Sequence, residues 1–197
     1  LVALNGAVTL DNIVISAPPL LPSAPGRYWN GLNGNTWSGI NWSTTAAGSD
    51  QVILGSNVDF VFSVDSTPTN HNTQLDSDVT ISSLTVQDPA AVTIGGSNKL
   101  TISSSGSITG ININNGSGLT TISSKLELGY LSQVITVNNA AGMVISGVVS
   151  GTNGLSKAGT GVLTLTGVET YTGSTVVSGG MLKLGDGMIV GTSIASS

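Results

Sequence analysis

Few side chains in this sequence could do chemistry. Asp76-Ser-Asp78 sets two carboxylates at strand spacing, on one side of an extended chain, a short way after His71, the only histidine. Paired carboxylates near an imidazole, a basic residue or calcium are what polysaccharide cleavage asks for. The plainer reading, a solvated pair at the entrance to a strand, is favoured. Asp59 and Asp65 add no further spacing, and Arg27, the only arginine, lies far from these acids in the sequence. A serine nucleophile would have to use His71, and no Gly-x-Ser-x-Gly elbow is present. Gly95-Gly-Ser-Asn-Lys99 lacks the aspartate of a calcium-binding nonapeptide coil, and Gly185-Asp-Gly187 occurs once. The absence of cysteine removes disulfides, thiolate catalysis and Cys-ligated zinc. No phosphate-cradling glycine loop occurs. The sequence therefore assigns no catalytic, cofactor-binding or metal-ligating residue, and it reads as a non-enzyme.

Recognition is the chemistry that remains. All three tryptophans fall in Tyr28-Trp29-Asn-Gly31, Trp37 and Asn41-Trp42, in a chain that is 4% aromatic. Aromatics so concentrated have a local role. They form a hydrophobic plug over one end of the fold, which is favoured, or a candidate interaction surface of Tyr28, Trp29, Trp37 and Trp42 on which sugar rings stack. The net charge of −5, with Lys99, Lys125, Lys157 and Lys183 scattered, leaves no basic cluster for nucleic acid or an anionic membrane. No run of residues is long and apolar enough to predict a membrane-spanning helix. Leu1–Leu21 is no signal peptide as it stands, and the lack of an initiator Met suggests a processed chain or an excised fragment.

The elements that would position these residues are strands. Only 8% of the chain is charged, against about 25% in a typical soluble domain. Its polarity comes from Ser, Thr, Asn and Gly, which favour strands joined by tight turns. Val79-Thr-Ile-Ser-Ser83 recurs as Leu100-Thr-Ile-Ser-Ser104 and Thr120-Thr-Ile-Ser-Ser124. Looser copies follow at Met143, Leu163 and Met181. Subtracting neighbours among Ile81, Ile102, Ile122, Ile145, Leu165 and Leu184 gives spacings of 21, 20, 23, 20 and 19. A period near 20 predicts a solenoid with one repeat per coil.

Each period holds about three apolar pairs. Val79/Ile81, Leu84/Val86 and Val92/Ile94 make a first coil. Leu100/Ile102, Ile108 and Ile111/Ile113 make a second, and Ile122, Leu126/Leu128 and Ile135/Val137 a third. The expected fold is all-β: a right-handed parallel β-helix (a β-solenoid) with three short strands per coil of about 20 residues, an N-terminal extension and an aromatic cap. Asn98, Asn114-Asn115 and Asn138-Asn139 recur in turns and are expected to stack as a ladder.

The expected organisation is an N-terminal strand and Pro-rich linker over 1–25, then a β-helix over 26–197. Residues 26–77 form its cap and irregular first coils, including strands over Gln51–Leu54 and Val58–Val64 and a loop over Asp65–Gln74. Residues 78–197 form regular coils. Val8, Leu10, Ile13 and Ile15 form a candidate strand that folds back on the first coil, as favoured, or donates itself to a neighbouring molecule.

Leu155-x-Lys157-x-Gly159-x-Gly161, Leu163-Thr-Leu-Thr-Gly167, Tyr171-Thr-Gly173 and Gly179-Gly-Met-Leu182 together resemble the autotransporter-associated β-strand repeat of bacterial passenger domains. Trp29-Asn-Gly31 with Asn41-Trp42 looks like segments found before such repeats. The resemblance implies a secreted or surface-displayed β-helix concerned with passenger folding and export. The family's C-terminal membrane barrel has no counterpart here, which suggests a passenger fragment or a free-standing subunit. The expected function is structural: a passenger stalk, or a filament subunit associating end to end through open coil ends, without cofactor. The alternative is a β-helix that binds or cleaves carbohydrate, with host or environmental glycans as partners.

Overall fold

The computed structural model describes residues 26–55, 57–63, 65, 70–104, 110–185 and 188–190. The opening segment holds β1 (Arg27–Trp29), β2 (Trp42–Ser43), β3 (Asp59–Phe62) and β4 (Asn72–Gln74). A first full coil follows with β5 (Val79–Ile81), β6 (Ser83–Val86) and β7 (Val92–Gly95). The second has β8 (Lys99–Ile102), β9 (Ile111–Ile113) and β10 (Thr120–Ile122), and the third β11 (Lys125–Leu128), β12 (Gln133–Val137) and β13 (Met143–Ile145). The fourth has β14 (Val149–Gly151), β15 (Leu155–Ala158) and β16 (Val162–Leu165). In the fifth a single parallel bridge between Val149 and Glu169 replaces the first strand, followed by β17 (Thr175–Val177) and β18 (Met181–Leu184). Finally β19 (Met188–Val190) turns back antiparallel on β18.

These strands stack into three sheets, one per side of a parallel β-solenoid of about five turns. The first side is β5-β8-β11-β14; the second runs from β3 through β6, β9, β12 and β15 to β17; the third runs from β4 to β18. Strict alternation explains the core. Ile81, Leu84, Val86, Ile94, Ile102, Ile122 and Ile145 are fully buried, while the residues that alternate with them, such as Thr80, Thr85, Thr93 and Thr101, face outward. The six or so aliphatics of one coil do not repay the entropy of ordering its backbone, so a coil is stable only within the stack.

The register corrects the coil assignment read from the repeat. Leu100–Ile102 pairs with Leu126–Leu128, whereas Thr120–Ile122 pairs with Val92–Ile94. The third copy of Thr-Ile-Ser-Ser therefore closes the second coil on a different side from the first two copies. A full turn from Leu100 to its partner Leu126 takes 26 residues (126 − 100), so a step of 20 residues falls one side short. Ladder pairing and the burial of all three apolar pairs decide the register, and resemblance between strands does not. Ile108 lies outside the described residues.

The opening segment departs further from expectation. Gln51–Leu54 is not a strand; Val52 makes one antiparallel bridge to Trp42. The end of the expected loop over 65–74 is instead β4, whose inward residue is polar. Thr73 is fully buried, accepts a hydrogen bond from Trp37 Nε1 at 2.9 Å and donates to the Thr93 carbonyl at 3.0 Å. The turn asparagines do not form a ladder with one another. The Asn139 amide donates to the carbonyls of Ser117 and Gly118 in the coil before it, and Asn98 donates to the Leu75 carbonyl. A backbone carbonyl one rung away is simply the nearer acceptor.

Candidate functional site

The sequence-derived candidates are dispersed by the fold. The Asp76 carboxylate accepts hydrogen bonds from the hydroxyl and the backbone N–H of Ser38, the latter at 3.0 Å. Burial pushes its pKa up, but these donors outweigh it and leave the group below the usual carboxylate range. Asp78 accepts from the Lys99 backbone N–H at 2.9 Å. His71 pairs with neither: its Nε2 lies 3.0 Å from Asp88, on the far side of β4 and β5 in sequence. Each carboxylate ties one coil or cap segment to the next. Among the described residues no group of three His, Asp or Glu side chains is placed to hold a metal ion.

The tryptophans are a correction to the candidate interaction surface. Trp29, Trp37 and Trp42 are each 0% exposed, so none presents a ring face to a ligand. Trp42 packs edge-on against Trp29 and Trp37, with centroids 4.9 and 5.0 Å away, and Trp37 stacks on Phe60 at 5.4 Å. Their indole N–H groups are satisfied: Trp29 donates to the Asn70 carbonyl and Trp42 to the Trp37 carbonyl. The cluster seals the first rung of the second side, where Phe60 and Phe62 point inward from β3. Tyr28 alone of the four keeps some surface. The candidate donor strand of Val8, Leu10, Ile13 and Ile15 lies outside the described residues.

The sequence did not single out two charged groups that the fold takes inside, the Lys157 ammonium and the Glu169 carboxylate. Lys157 occupies an inward position of β15, in the column Ile111–Ile135–Lys157–Val177, and is 0% exposed. Its ammonium donates to the carbonyls of Ala158, Gly159 and Gly179, at 2.6, 3.1 and 3.1 Å, and burial lowers its pKa. This clasp explains the glycines around it. Gly180 has φ +66°, and a Cβ there would sit 2.4 Å from the Gly161 carbonyl and 2.9 Å from the Lys157 nitrogen. A side chain at Gly180 would expel the ammonium from its carbonyl cage.

Glu169 is the second. It continues the column Val79–Leu100–Leu126–Val149 on the first side. Both its carboxylate oxygens are buried without a hydrogen-bond partner, and burial raises its pKa to about 7. Beside it the Tyr171 hydroxyl shares a 2.5 Å hydrogen bond with Thr175; burial first, and Glu169 second, push its pKa up against that bond. The signal was present as parity. Leu155-Ser-Lys157 alternates in, out, in, and the Val149–Glu169 bridge turns Val168 outward, at 63% exposed.

The stretch that carries the clasp matches a known family of repeats. Residues 155–184 match the passenger-associated-transport-repeat. The repeat spans β15 to β18, so the Lys157 clasp and Glu169 both lie within it. A segment of 66 residues is 41% identical to the adhesin BmaC autotransporter of Brucella suis biovar 1 (strain 1330). It covers 34% of this chain and 2% of that adhesin. No solved structure matches the chain. The chain thus carries an autotransporter passenger repeat segment within a continuous β-solenoid. In that repeat the Lys-x-Gly-x-Gly motif is structural: a buried cation closes the corner between the second and third sides.

Proposed function

We propose that this chain is a length of stalk in a secreted or surface-displayed bacterial passenger domain. Its function is to project and space whatever is joined to it, without catalysis. The observation that carries this reading is the passenger-associated-transport-repeat lying in register at the C-terminal end of an unbroken parallel stack. A parallel stack transmits shape along its axis because every coil is hydrogen-bonded to the next. The polar side chains that sequence reasoning could offer a substrate are instead engaged between coils.

The covered N-terminal rung favours a stalk over a self-stacking subunit. On the second side β2 caps β1; on the third Gln74 exchanges backbone hydrogen bonds with Asn35 and Trp37; on the first Ser82 bonds to Val58. A strand edge so occupied is not free to pair with another molecule. An epitope inserted in the turn at Asn115–Gly116 tests the location. Antibody should label it on intact cells of the source organism, and added protease should remove it. Labelling only after the cells are permeabilised would refute the proposal.

A further inference from the structure

Seven of the eight aromatic side chains are buried or half-buried, and one is not. Tyr130 stands in the corner between β11 and β12 with 89% of its surface exposed. It borders an open groove of about 550 Å³ on the outer face of the first side. The floor of the groove is a ladder of outward residues in register, Thr80–Thr101–Glu127, over successive rungs about 4.8 Å apart. Thr152 and Asn153 form the wall beside the tyrosine.

The polar groups of the groove are set in place. The Lys99 ammonium lies 2.5 Å from Glu127 Oε2, and the Thr101 hydroxyl donates to the same oxygen at 3.2 Å. Both partners thus use Oε2, and Oε1 keeps its acceptor capacity. The Lys99 hydrogen bond outweighs the opposing effect of burial and holds the Glu127 carboxyl below its usual range, so it is ionised at neutral pH. The groove offers two carboxylates, Asp78 and the immobilised Glu127, with one ammonium, hydroxyls and one flat exposed ring. Its strands are already paired on both sides, which closes β-strand addition to a peptide. A second groove of similar volume, at Asn114, Asn115, Asn138 and Thr160, has no aromatic ring.

We propose that the groove binds a neutral oligosaccharide, with one pyranose ring stacked on Tyr130 and its hydroxyls bonded to Glu127 Oε1, Lys99 and Asn153. A sugar ring presents an apolar C–H face and a rim of paired donors and acceptors. It therefore needs one exposed ring and a few fixed polar atoms that both give and take hydrogen bonds. Lys99 is outnumbered by Asp78 and Glu127, so the groove has no excess of positive charge to favour an acidic polysaccharide. The inference goes beyond the stalk reading and does not depend on it, since labelling at the cell surface and sugar binding are scored separately.

The test uses the full chain carrying 3-fluorotyrosine, whose three tyrosines give three fluorine resonances, with Tyr130→Phe assigning the one concerned. The probes are neutral linear oligosaccharides of hexose and of N-acetylhexosamine. At least one should shift the Tyr130 resonance saturably while those of Tyr28 and Tyr171 stay in place. Tyr130→Ala should weaken that binding by about tenfold or more, as loss of a stacking contact does, and Glu127→Gln should weaken it with the melting curve preserved. Failure of every neutral probe, binding undiminished in Tyr130→Ala, or a response only to acidic polysaccharide or peptide would each overturn the proposal.

Discussion

Replacing Glu169 with Leu should stabilise the last coil by an amount that grows with pH. The column beneath Glu169 is Val79, Leu100, Leu126 and Val149, all buried, so an aliphatic continues it without new polar atoms. In the folded chain burial raises the Glu169 pKa from 4.5 to about 7. Between those values the folded state holds a proton that the unfolded state has released. Stability therefore falls as pH rises from about 4.5, and levels off above about 7. A shift of that size would be about 3 kcal/mol if the site were dry. Glu169 is partly exposed, and screening reduces the figure to roughly 1–2 kcal/mol.

No cation offsets this penalty among the described residues. Tyr171 is the titratable neighbour that feels Glu169, and its own pKa is moved upward, away from the neutral range. The depressed carboxyls of Asp76 and Glu127 lose their contributions as pH falls below their ordinary values of 3.8 and 4.5, outside the window that matters. The assay is urea denaturation of the wild type and of Glu169→Leu between pH 5 and pH 8. The variant should gain roughly 1–2 kcal/mol at pH 8 and much less at pH 5, and the slope of stability with pH should shrink. A difference that does not change with pH would show that the Glu169 carboxyl is solvated, and the inward reading of that column would fail.

Two further changes probe the same stack. Lys157→Met keeps the apolar stem but leaves the Ala158, Gly159 and Gly179 carbonyls without their donor. It should cost about 1–3 kcal/mol and expose the fifth coil to limited proteolysis first, and an unchanged digestion pattern would refute the clasp. Ile122→Asp puts an unpaired charge between Ile94 and Ile145 in a fully buried column and should abolish cooperative folding of the neighbouring coils; a melting temperature within a few degrees of wild type would refute the assignment.

The solenoid was legible because period-two alternation of aliphatics is the requirement for a strand with one buried face, and three such pairs per repeat leave little other geometry. The pairing partners were not legible. Thr120–Ile122 looks most like Leu100–Ile102, yet it lies against Val92–Ile94, because the longer second coil shifts the phase. Polarity hid β4, since Thr73 satisfies its hydroxyl inside the tube, where only an apolar residue was expected. The tryptophans read as plug, the favoured reading, or as platform, because an aromatic ring serves both ends and only burial separates them. Charge gave no warning of Lys157 or Glu169 either. Their inward positions follow from strand parity, which the backbone ladder enforces whatever the side chain.

These polar intruders have a physical order along the stack. The Thr73 hydroxyl makes two hydrogen bonds, whereas the buried Thr120 hydroxyl makes none, at the modest cost of one neutral group. Lys157 needs a cage, and three carbonyls of adjacent corners supply it. Glu169 finds none, and its column has no strand at that rung, only the bridge to Val149. A carboxylate costs more to bury unpartnered than a hydroxyl, so the largest of these costs falls in the C-terminal coils, within the passenger repeat. A stack in which each coil depends on its neighbour opens first where interior polarity costs most. The fifth coil is therefore where unfolding should begin, and the tryptophan-sealed rung at the other end is where the fold should persist longest.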